Sequence, residues 1–159
     1  MTAWTEHLAR MGATLDETAR SIAFASPADE ARATETATIA VPLLHLGTIR
    51  SQGPDSAAFL HNLVSNDVKH MEADTAAWNS FNSPKGRMIA SFLVWTEEGG
   101  HALALSADIL PAFLKKFSMY VLRSKVKLAD ASAEVALIGL AGPQAVAIAQ
   151  AAGAALPAE

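Results

Sequence analysis

Alternation of apolar and polar side chains predicts the strands of this chain. Residues 46–52 alternate apolar positions with small or polar ones, as a half-buried strand does. Strand patterns recur in three further segments: 76–81, 87–96 and 101–106. The stretches between them, 82–86 and 97–100, contain the Pro or Gly residues that tight turns require. The pattern from 76 to 106 therefore predicts a three-stranded antiparallel meander.

Apolar positions three and four residues apart predict four helices. The first is indicated by one set of positions: Trp4, Leu8, Met11 and Leu15. The second begins at Pro54, which costs no hydrogen bond in a first turn, and should end near 65–67. The third covers 107–120, with Asp108 in its first turn. The fourth opens at 142–144 and is rich in Ala.

The remaining segments complete an α+β pattern. Residues 26–38 are rich in Ala, Glu, Thr and Asp, which predicts a loose connector. Residues 39–44 indicate a strand interrupted by Pro42, so that it should lie at an edge or a bend. A further strand is predicted over 121–129, and a buried one over 135–140. Strands mixed with helices in this order predict an α+β fold, with helices packed on a mixed or antiparallel sheet.

Three regions are expected along the chain. Residues 1–37 should form an amino-terminal helix and connector, and residues 38–152 should form one α+β lobe. Residues 153–159, with the sequence Gly-Ala-Ala-Leu-Pro-Ala-Glu, are typical of a surface connector and not of a finished domain edge. We therefore expect further polypeptide beyond this point.

Composition excludes several classes of function. The 159 residues are enough for a hydrophobic core, and 51% hydrophobic with 18% charged residues argues against extensive disorder. The net charge of -4 argues against a nucleic-acid-binding surface. The absence of Cys excludes disulfides, a cysteine nucleophile and a thiolate-held iron–sulfur cluster. No two of the five His residues are four apart, so no metal site is expected.

The amino-terminal sequence and the hydropathy predict a cytoplasmic location. Residues 1–7 lack the basic start and the apolar block of a signal peptide. No apolar run is long enough to span a bilayer. We expect a soluble cytoplasmic protein with neither membrane nor nucleic-acid partners.

Three stretches in order carry a family resemblance. They are LHLGTIRSQGPDSAAFL at 44–60 followed by SNDV at 65–68, NSPKGRM at 82–88, and IGLAGPQA at 138–145. Their order and spacing resemble the amino-terminal part of the glycine-cleavage T-protein (aminomethyltransferase) superfamily, and most of all its YgfZ-like, folate-binding branch. The resemblance covers about Val41 to Ala147. Each motif is weak alone, and the ordered set is specific.

The resemblance implies a tetrahydrofolate-type ligand in a pocket that this lobe builds in part. Members of the YgfZ-like branch are longer and carry a Lys-Gly-Cys signature in their later part, which this chain lacks. The implied partner is therefore a missing carboxy-terminal lobe, in the same polypeptide or in another. T-proteins have a catalytic Asp at the strand position that Ser91 occupies here. A hydroxyl can form hydrogen bonds but carries no charge.

This difference favours folate binding in support of iron–sulfur client enzymes over aminomethyl transfer, and we expect no catalysis by this chain alone. An aminomethyltransferase, or a non-catalytic lobe that binds nothing without its missing half, are the alternatives. No catalytic residue and no metal ligand is assigned.

Six residues are candidates for the folate site: Trp78, Phe81, Asn82, Lys85, Arg87 and Ser91. The two aromatic residues would form a slot for the pterin, the Asn and Ser would bind its nitrogens, and the two cations would meet the glutamate tail. The alternatives are core packing for the aromatics, turn capping for Asn82, simple strand exposure for Ser91 and solvated charges for the cations.

A cluster of cations spans the end of the third predicted helix and the predicted strand after it: Lys115, Lys116, Arg123, Lys125 and Lys127. A solvated face is the favoured interpretation. A polyglutamate tail or an acidic partner is the alternative.

Overall fold

The structure is a computed structural model that describes residues 2–16, 18 and 20–154. Within these residues the elements in chain order are α1 Ala3–Arg10, β1 Thr14–Asp16, β2 Ser21–Ala23, α2 Pro27–Thr36, β3 Ile39–Pro42, β4 Leu46–Gln52, α3 Ser56–His61, β5 Ala76–Asn82, β6 Met88–Glu97, β7 Gly100–Ser106, α4 Leu110–Ser118, β8 Lys127–Asp130, β9 Ile138–Ala141 and α5 Ala145–Ala151. This mixture confirms the predicted α+β class.

Five strands form one antiparallel sheet in the order β5–β6–β7–β4–β8. The predicted meander is confirmed, because β5, β6 and β7 are consecutive neighbours. The register places Ile49 opposite Leu103, and Leu103 opposite Val94. These side chains lie on one face of the sheet and are fully buried. We call the other face of the sheet the outer face.

Helices α3 and α4 pack on the buried face of the sheet. Their aromatic rings meet those of the strands: Phe117 lies 5.2 Å from Phe59 and 5.3 Å from Phe81 between ring centroids. Phe113 stacks on Phe117 at 4.9 Å and contacts Phe92 at 5.6 Å. Edge-to-face and offset pairs at these distances stabilise a core beyond the area they bury. This core fixes the sheet that carries the candidate site.

The chain divides into two compact units. The sheet unit is Leu46–Ser132 and contains the five-stranded sheet with α3 and α4. The terminal unit consists of residues 1–45 and 133–159, in so far as these are described. The expectation that residues 38–152 form one ligand-binding lobe stays a prediction. Most of the connector expected at 153–159 lies outside the described residues.

The terminal unit contains little buried apolar surface. It has two two-stranded antiparallel sheets, β1–β2 and β3–β9, the latter with Val41 opposite Gly139. Leu8 of α1 is buried, whereas neither α2 nor α5 has a buried residue. No helix of the described part of the chain is long and apolar enough to cross a membrane.

The connector predicted at 26–38 is wrong, because Pro27–Thr36 is a helix. Ser26 caps it by accepting a hydrogen bond from the Asp29 amide at 3.2 Å, and Pro27 occupies the first turn. A Ser before a Pro is a strong helix start. The cap was the available signal, since this helix has no apolar face to produce a periodic pattern.

Other predicted boundaries also change. The first helix ends at Arg10, and Leu15 lies in β1. The second predicted helix, which was expected to end near 65–67, ends at His61. The strand predicted at 121–129 begins only at Lys127. Turns occupy the residues before it, and one of them is closed by a hydrogen bond from the Ser124 amide to the Val121 carbonyl at 2.8 Å.

The strand predicted at 135–140 was expected to be buried. The structure has it at Ile138–Ala141, where Ile138 is 49% exposed. The apolar composition of a strand does not show whether a second layer covers it.

Candidate functional site

Four candidate and neighbouring side chains share the outer face of the β5–β6 hairpin. Trp78, Ser80 and Asn82 follow one another at every second position of β5, and Ser80 pairs directly with Ser91 of β6. Trp78 is 69% exposed, although tryptophan is generally well buried. The result is a solvent-facing indole beside two hydroxyl groups and an amide.

The polar groups beside Trp78 are partly held in place. The amide nitrogen of Asn82 donates a hydrogen bond to Ser80 Oγ at 3.2 Å. An irregularity in the register between Phe81 and Asn82 shifts Asn82 opposite Met88. The hydroxyl of Ser91 is exposed and has no hydrogen-bond partner among the described residues. Ser91 therefore offers a free donor and acceptor next to a fixed amide.

The free edge of β5 is closed by residues 64–66. Ser65 exchanges two hydrogen bonds with Ser80, one from each backbone amide, both at 3.0 Å. Asn66 donates from its side-chain amide to the Trp78 carbonyl at 2.6 Å and from its backbone amide to Asn79 Oδ1 at 2.8 Å. Asn66 follows the end of α3 and binds this strand through both amides. These contacts immobilise the backbone that carries Trp78.

Phe81 is not part of the same surface. It lies on the buried face of the sheet, is 3% exposed, and packs against Phe113 and Phe117 at 5.8 and 5.3 Å. Trp78 and Phe81 are three residues apart on a strand whose side chains alternate, so they point to opposite faces. The expected slot with both aromatics as walls does not form. Phe81 instead supports β5 from the core.

The two candidate cations lie at the turn of the same hairpin. The turn is closed by hydrogen bonds from the Ser83 amide to the Arg87 carbonyl and from the Gly86 amide to the Ser83 carbonyl, both 2.8 Å. Gly86 has φ of +75°, which glycine adopts without strain. Lys85 and Arg87 are exposed and form no ion pair with another described residue. They place two positive charges at one end of the Trp78 surface.

Comparison with known families identifies the family of the chain. A family described as the GCVT N-terminal domain matches residues 3–157. The chain belongs to this family. The resemblance read from the three motifs is thereby confirmed, and the match covers both the sheet unit and the terminal unit.

Relatives of this GCVT N-terminal domain chain have several names. It is 35% identical over 106 residues to the iron-sulfur cluster assembly factor IBA57 homolog of Mycosarcoma maydis, covering 57% of this chain and 26% of the relative. It is 29% identical over 107 residues to an aminomethyltransferase of Shouchella clausii, covering 67% and 29%. It is 30% identical over 108 residues to the tRNA-modifying protein YgfZ of Vibrio vulnificus, covering 67% and 33%.

A solved structure supports the fold of this family member. The aminomethyltransferase T of the glycine cleavage system from Bartonella henselae superposes with a TM-score of 0.72 at 17% identity. The superposition covers 96% of this chain and 43% of the other. The chain thus spans about a quarter to a third of the length of the curated relatives above, and less than half of this solved one.

Sequence reasoning missed two polar features of this GCVT N-terminal domain chain. Ser80 lies between Trp78 and Asn82 in the period-two pattern, and that period would have found it. The second feature is a buried cluster in the sheet unit, where Ser56 Oγ lies 2.8 Å from Ser51 Oγ and 2.9 Å from His101 Nδ1. These positions are brought together by the antiparallel pairing of β4 with β7, which no local spacing reveals.

The buried cluster is structural in its geometry. Ser56 Oγ donates to the Ser51 carbonyl at 2.8 Å, so it accepts the Nδ1–H of neutral His101. Burial lowers the pKa of His101. Because Ser56 is 1% exposed and its proton is directed to a carbonyl, it is not positioned as a nucleophile.

The carboxylate of Asp67, in the segment after α3, contacts two imidazoles. His70 Nδ1 lies 2.7 Å from Asp67 Oδ2, and His61 Nδ1 lies 3.1 Å from Asp67 Oδ1. The side-chain hydrogen bond from His70 is the main cause that lowers the pKa of Asp67. In the described part of the chain no group of three or more His, Asp or Glu residues is arranged to hold a metal ion.

Proposed function

We propose that this chain is a tetrahydrofolate-binding lobe that supports the assembly or repair of iron–sulfur enzymes. The observation that carries the proposal is the exposed Trp78 on the outer face, beside Ser80, Asn82 and Ser91. A pterin is flat and rich in donor and acceptor nitrogens, so an open indole with adjacent amide and hydroxyl groups matches its chemistry. The cations Lys85 and Arg87 match the anionic glutamate tail.

The rigidity of this surface supports a binding role. The hydrogen bonds of Ser65 and Asn66 hold the β5 backbone, and Phe81 anchors it in the core. A ligand that stacks on Trp78 therefore has little backbone to order, which lowers the entropic cost of binding. Family membership supports the same ligand class, since relatives include an aminomethyltransferase and a YgfZ protein.

The purpose of binding follows from what the surface lacks. None of the three outer-face side chains beside Trp78 is acidic, and one of them, Ser91, occupies the position at which the T-protein resemblance implies a catalytic Asp. A neutral hydroxyl does not stabilise the cationic amine of an aminomethyl adduct as a carboxylate does. This favours an accessory role of the kind named for the IBA57 homolog, with iron–sulfur enzymes as clients. The location we propose is the cytoplasm, whereas that relative is named as mitochondrial.

Aminomethyl transfer is the second candidate, because several relatives carry that name. It requires release of ammonia or formaldehyde equivalents from a folate adduct in the presence of this chain. Their formation at a rate above that measured without the chain would favour transfer over the accessory role.

The missing carboxy-terminal lobe with its Lys-Gly-Cys signature is the proposed partner. The terminal unit supports this proposal, because the β3–β9 pair has two strands and its Val41 and Ile138 are 40% and 49% exposed. Two-stranded sheets are marginal alone and gain stability when further strands or a second layer cover them.

The test is calorimetric titration of the chain with tetrahydrofolate, alongside tryptophan fluorescence. Trp78→Ala should weaken binding about tenfold or more, because the stacking surface is lost. Its melting temperature should not change, because the indole is 69% exposed. Met11→Ala, which removes a side chain that is 62% exposed in the terminal unit, is the control and should bind as the wild type does. Equal affinity of Trp78→Ala and wild type would refute the site.

A further inference from the structure

The segment that joins α4 to β8 combines exposed apolar side chains with unpaired positive charge. Leu122 is 88% exposed and Met119 is 65% exposed. Residues 109–129 contain five of the 12 Lys and Arg residues of the chain and no Asp or Glu. None of these five cations forms an ion pair with another described residue. This concentration is local, since the chain as a whole has a net charge of -4.

The backbone of this segment is ordered by hydrogen bonds. The Ser124 amide donates to the Val121 carbonyl at 2.8 Å, and the Val126 amide donates to the Ser124 carbonyl at 2.9 Å. The Lys125 amide donates to Asp55 Oδ2 at 2.7 Å, which ties the segment to the start of α3. The loop therefore presents a fixed surface and does not need to be ordered when a partner binds.

Leu122 has a backbone conformation that its side chain does not favour. Its φ is +44°, in the left-handed region where Gly, Asn and Asp are common and a branched apolar residue is rare. Strain of this kind is retained where the surroundings impose it, and it is concentrated at functional sites. A Leu that is 88% exposed gains no burial in return. Its presence at the tip is explained if a partner covers it.

A shallow cleft of about 680 Å³ lies beside this tip. It is lined by Asp55, Tyr120, Leu122, Arg123 and Ser124. An apolar centre with aromatic and Arg side chains, surrounded by charge, is the composition of a protein–protein interface. A cleft accommodates a protruding side chain, which a lipid surface does not supply. An RNA backbone offers no apolar group to Leu122 and Met119.

We infer that the α4–β8 loop is a docking surface for an acidic protein segment with at least one apolar side chain. The apolar side chain contacts Leu122 and Tyr120, and carboxylates of the segment meet Arg123, Lys125 and Lys127. The solvated face favoured from the cation run alone does not account for Leu122 and Met119. The surface is independent of folate binding at Trp78, so the two can be tested separately.

The test selects random dodecapeptides displayed on phage against the wild-type chain. The counter-target is the variant Leu122→Ser with Arg123→Glu and Lys125→Glu, whose altered side chains are all exposed. We expect enrichment of peptides that combine several Asp or Glu residues with a large apolar residue. Fluorescein-labelled synthetic copies should bind the wild type about tenfold or more tightly than the variant. Their affinity should fall as NaCl is raised from about 50 to about 500 mM.

Two further variants control for folding and for charge. Arg123→Glu with Lys127→Glu leaves Leu122 and its backbone unchanged and should weaken the same peptides. Lys69→Glu reverses an exposed cation elsewhere in the sheet unit and should not. Selection without an acidic motif, or equal binding to the variants, overturns the inference. Loop-dependent binding to phosphatidylserine vesicles or to poly(U) RNA, without binding to acidic peptides, also overturns it.

Discussion

His101 is the residue whose protonation state the fold controls most clearly. Its side chain is 7% exposed, its Nδ1 is bonded to Ser56, and its strand neighbours Ser51 and Thr96 are uncharged. None of these contacts is a carboxylate. A protonated His101 would therefore lose hydration without gaining an opposite charge. Burial therefore lowers its pKa, and the native state holds a neutral ring at neutral pH.

The lowered pKa of His101 predicts a stability loss on acidification. The folded pKa lies below the unfolded value of about 6.5, so the unfolded chain binds the proton first as the pH falls. The contribution of His101 to the free energy of unfolding should be constant above that value, decline below it and level off beneath the folded pKa. Urea denaturation at several pH values measures this. His101→Gln should remove this part of the decline, and a slope unchanged by that substitution would contradict the assignment.

At the scale of elements, strands were more predictable than their burial. Alternation located β4 with its observed bounds, 46–52, and placed β5, β6 and β7 to within a residue at each end. The same alternation predicts that Trp78 and Phe81 face opposite sides of the sheet. The expected slot, with both aromatic residues as walls, did not take this into account. Helix α2 was not predicted because it buries none of its residues, and its sequence therefore shows no hydrophobic periodicity.

The hairpin turn between β5 and β6 makes a separate prediction about ligand form. Lys85 and Arg87 are exposed and unpaired with described residues, so each is available to a polyanionic tail but is screened by water. Lys85→Glu with Arg87→Glu should reduce the affinity for tetrahydrofolate triglutamate by about threefold or more, and that for the monoglutamate less. Isothermal titration of both ligands measures the ratio. An equal loss for both would place the tail elsewhere.

At the scale of the whole molecule, the two units differ in how they are stabilised. The buried hydrophobic cluster around Phe117 lies entirely within the sheet unit. The terminal unit has exposed Val146 and Ile148 on α5 and an apolar groove between α2 and β3 that includes the half-exposed Phe24. Sequence hydropathy counts these residues as core candidates. Hydropathy does not specify whether such residues are covered, because burial depends on what packs against them.

This difference predicts unequal hydrogen exchange within one chain. The Leu43 amide in the terminal unit donates to the Leu137 carbonyl at 2.9 Å, and the Ala131 amide in the sheet unit donates to the Thr48 carbonyl at 2.8 Å. The two bonds have similar lengths, but only Ala131 adjoins the main sheet and is 2% exposed. Corrected for intrinsic rates, Leu43 should exchange about 100-fold faster or more, because the terminal unit opens locally without unfolding the core.

The same measurement tests the proposed partner lobe. If a carboxy-terminal lobe from a family member covers the β3–β9 pair, its addition should slow exchange at Leu43 and leave Ala131 unchanged, since binding stabilises only the states that it contacts. Equal protection of the two amides in the isolated chain would mean that the terminal unit needs no cover. The exposed Ile138 and Val41 would then be ordinary surface, and the case for a missing lobe would rest on family length alone.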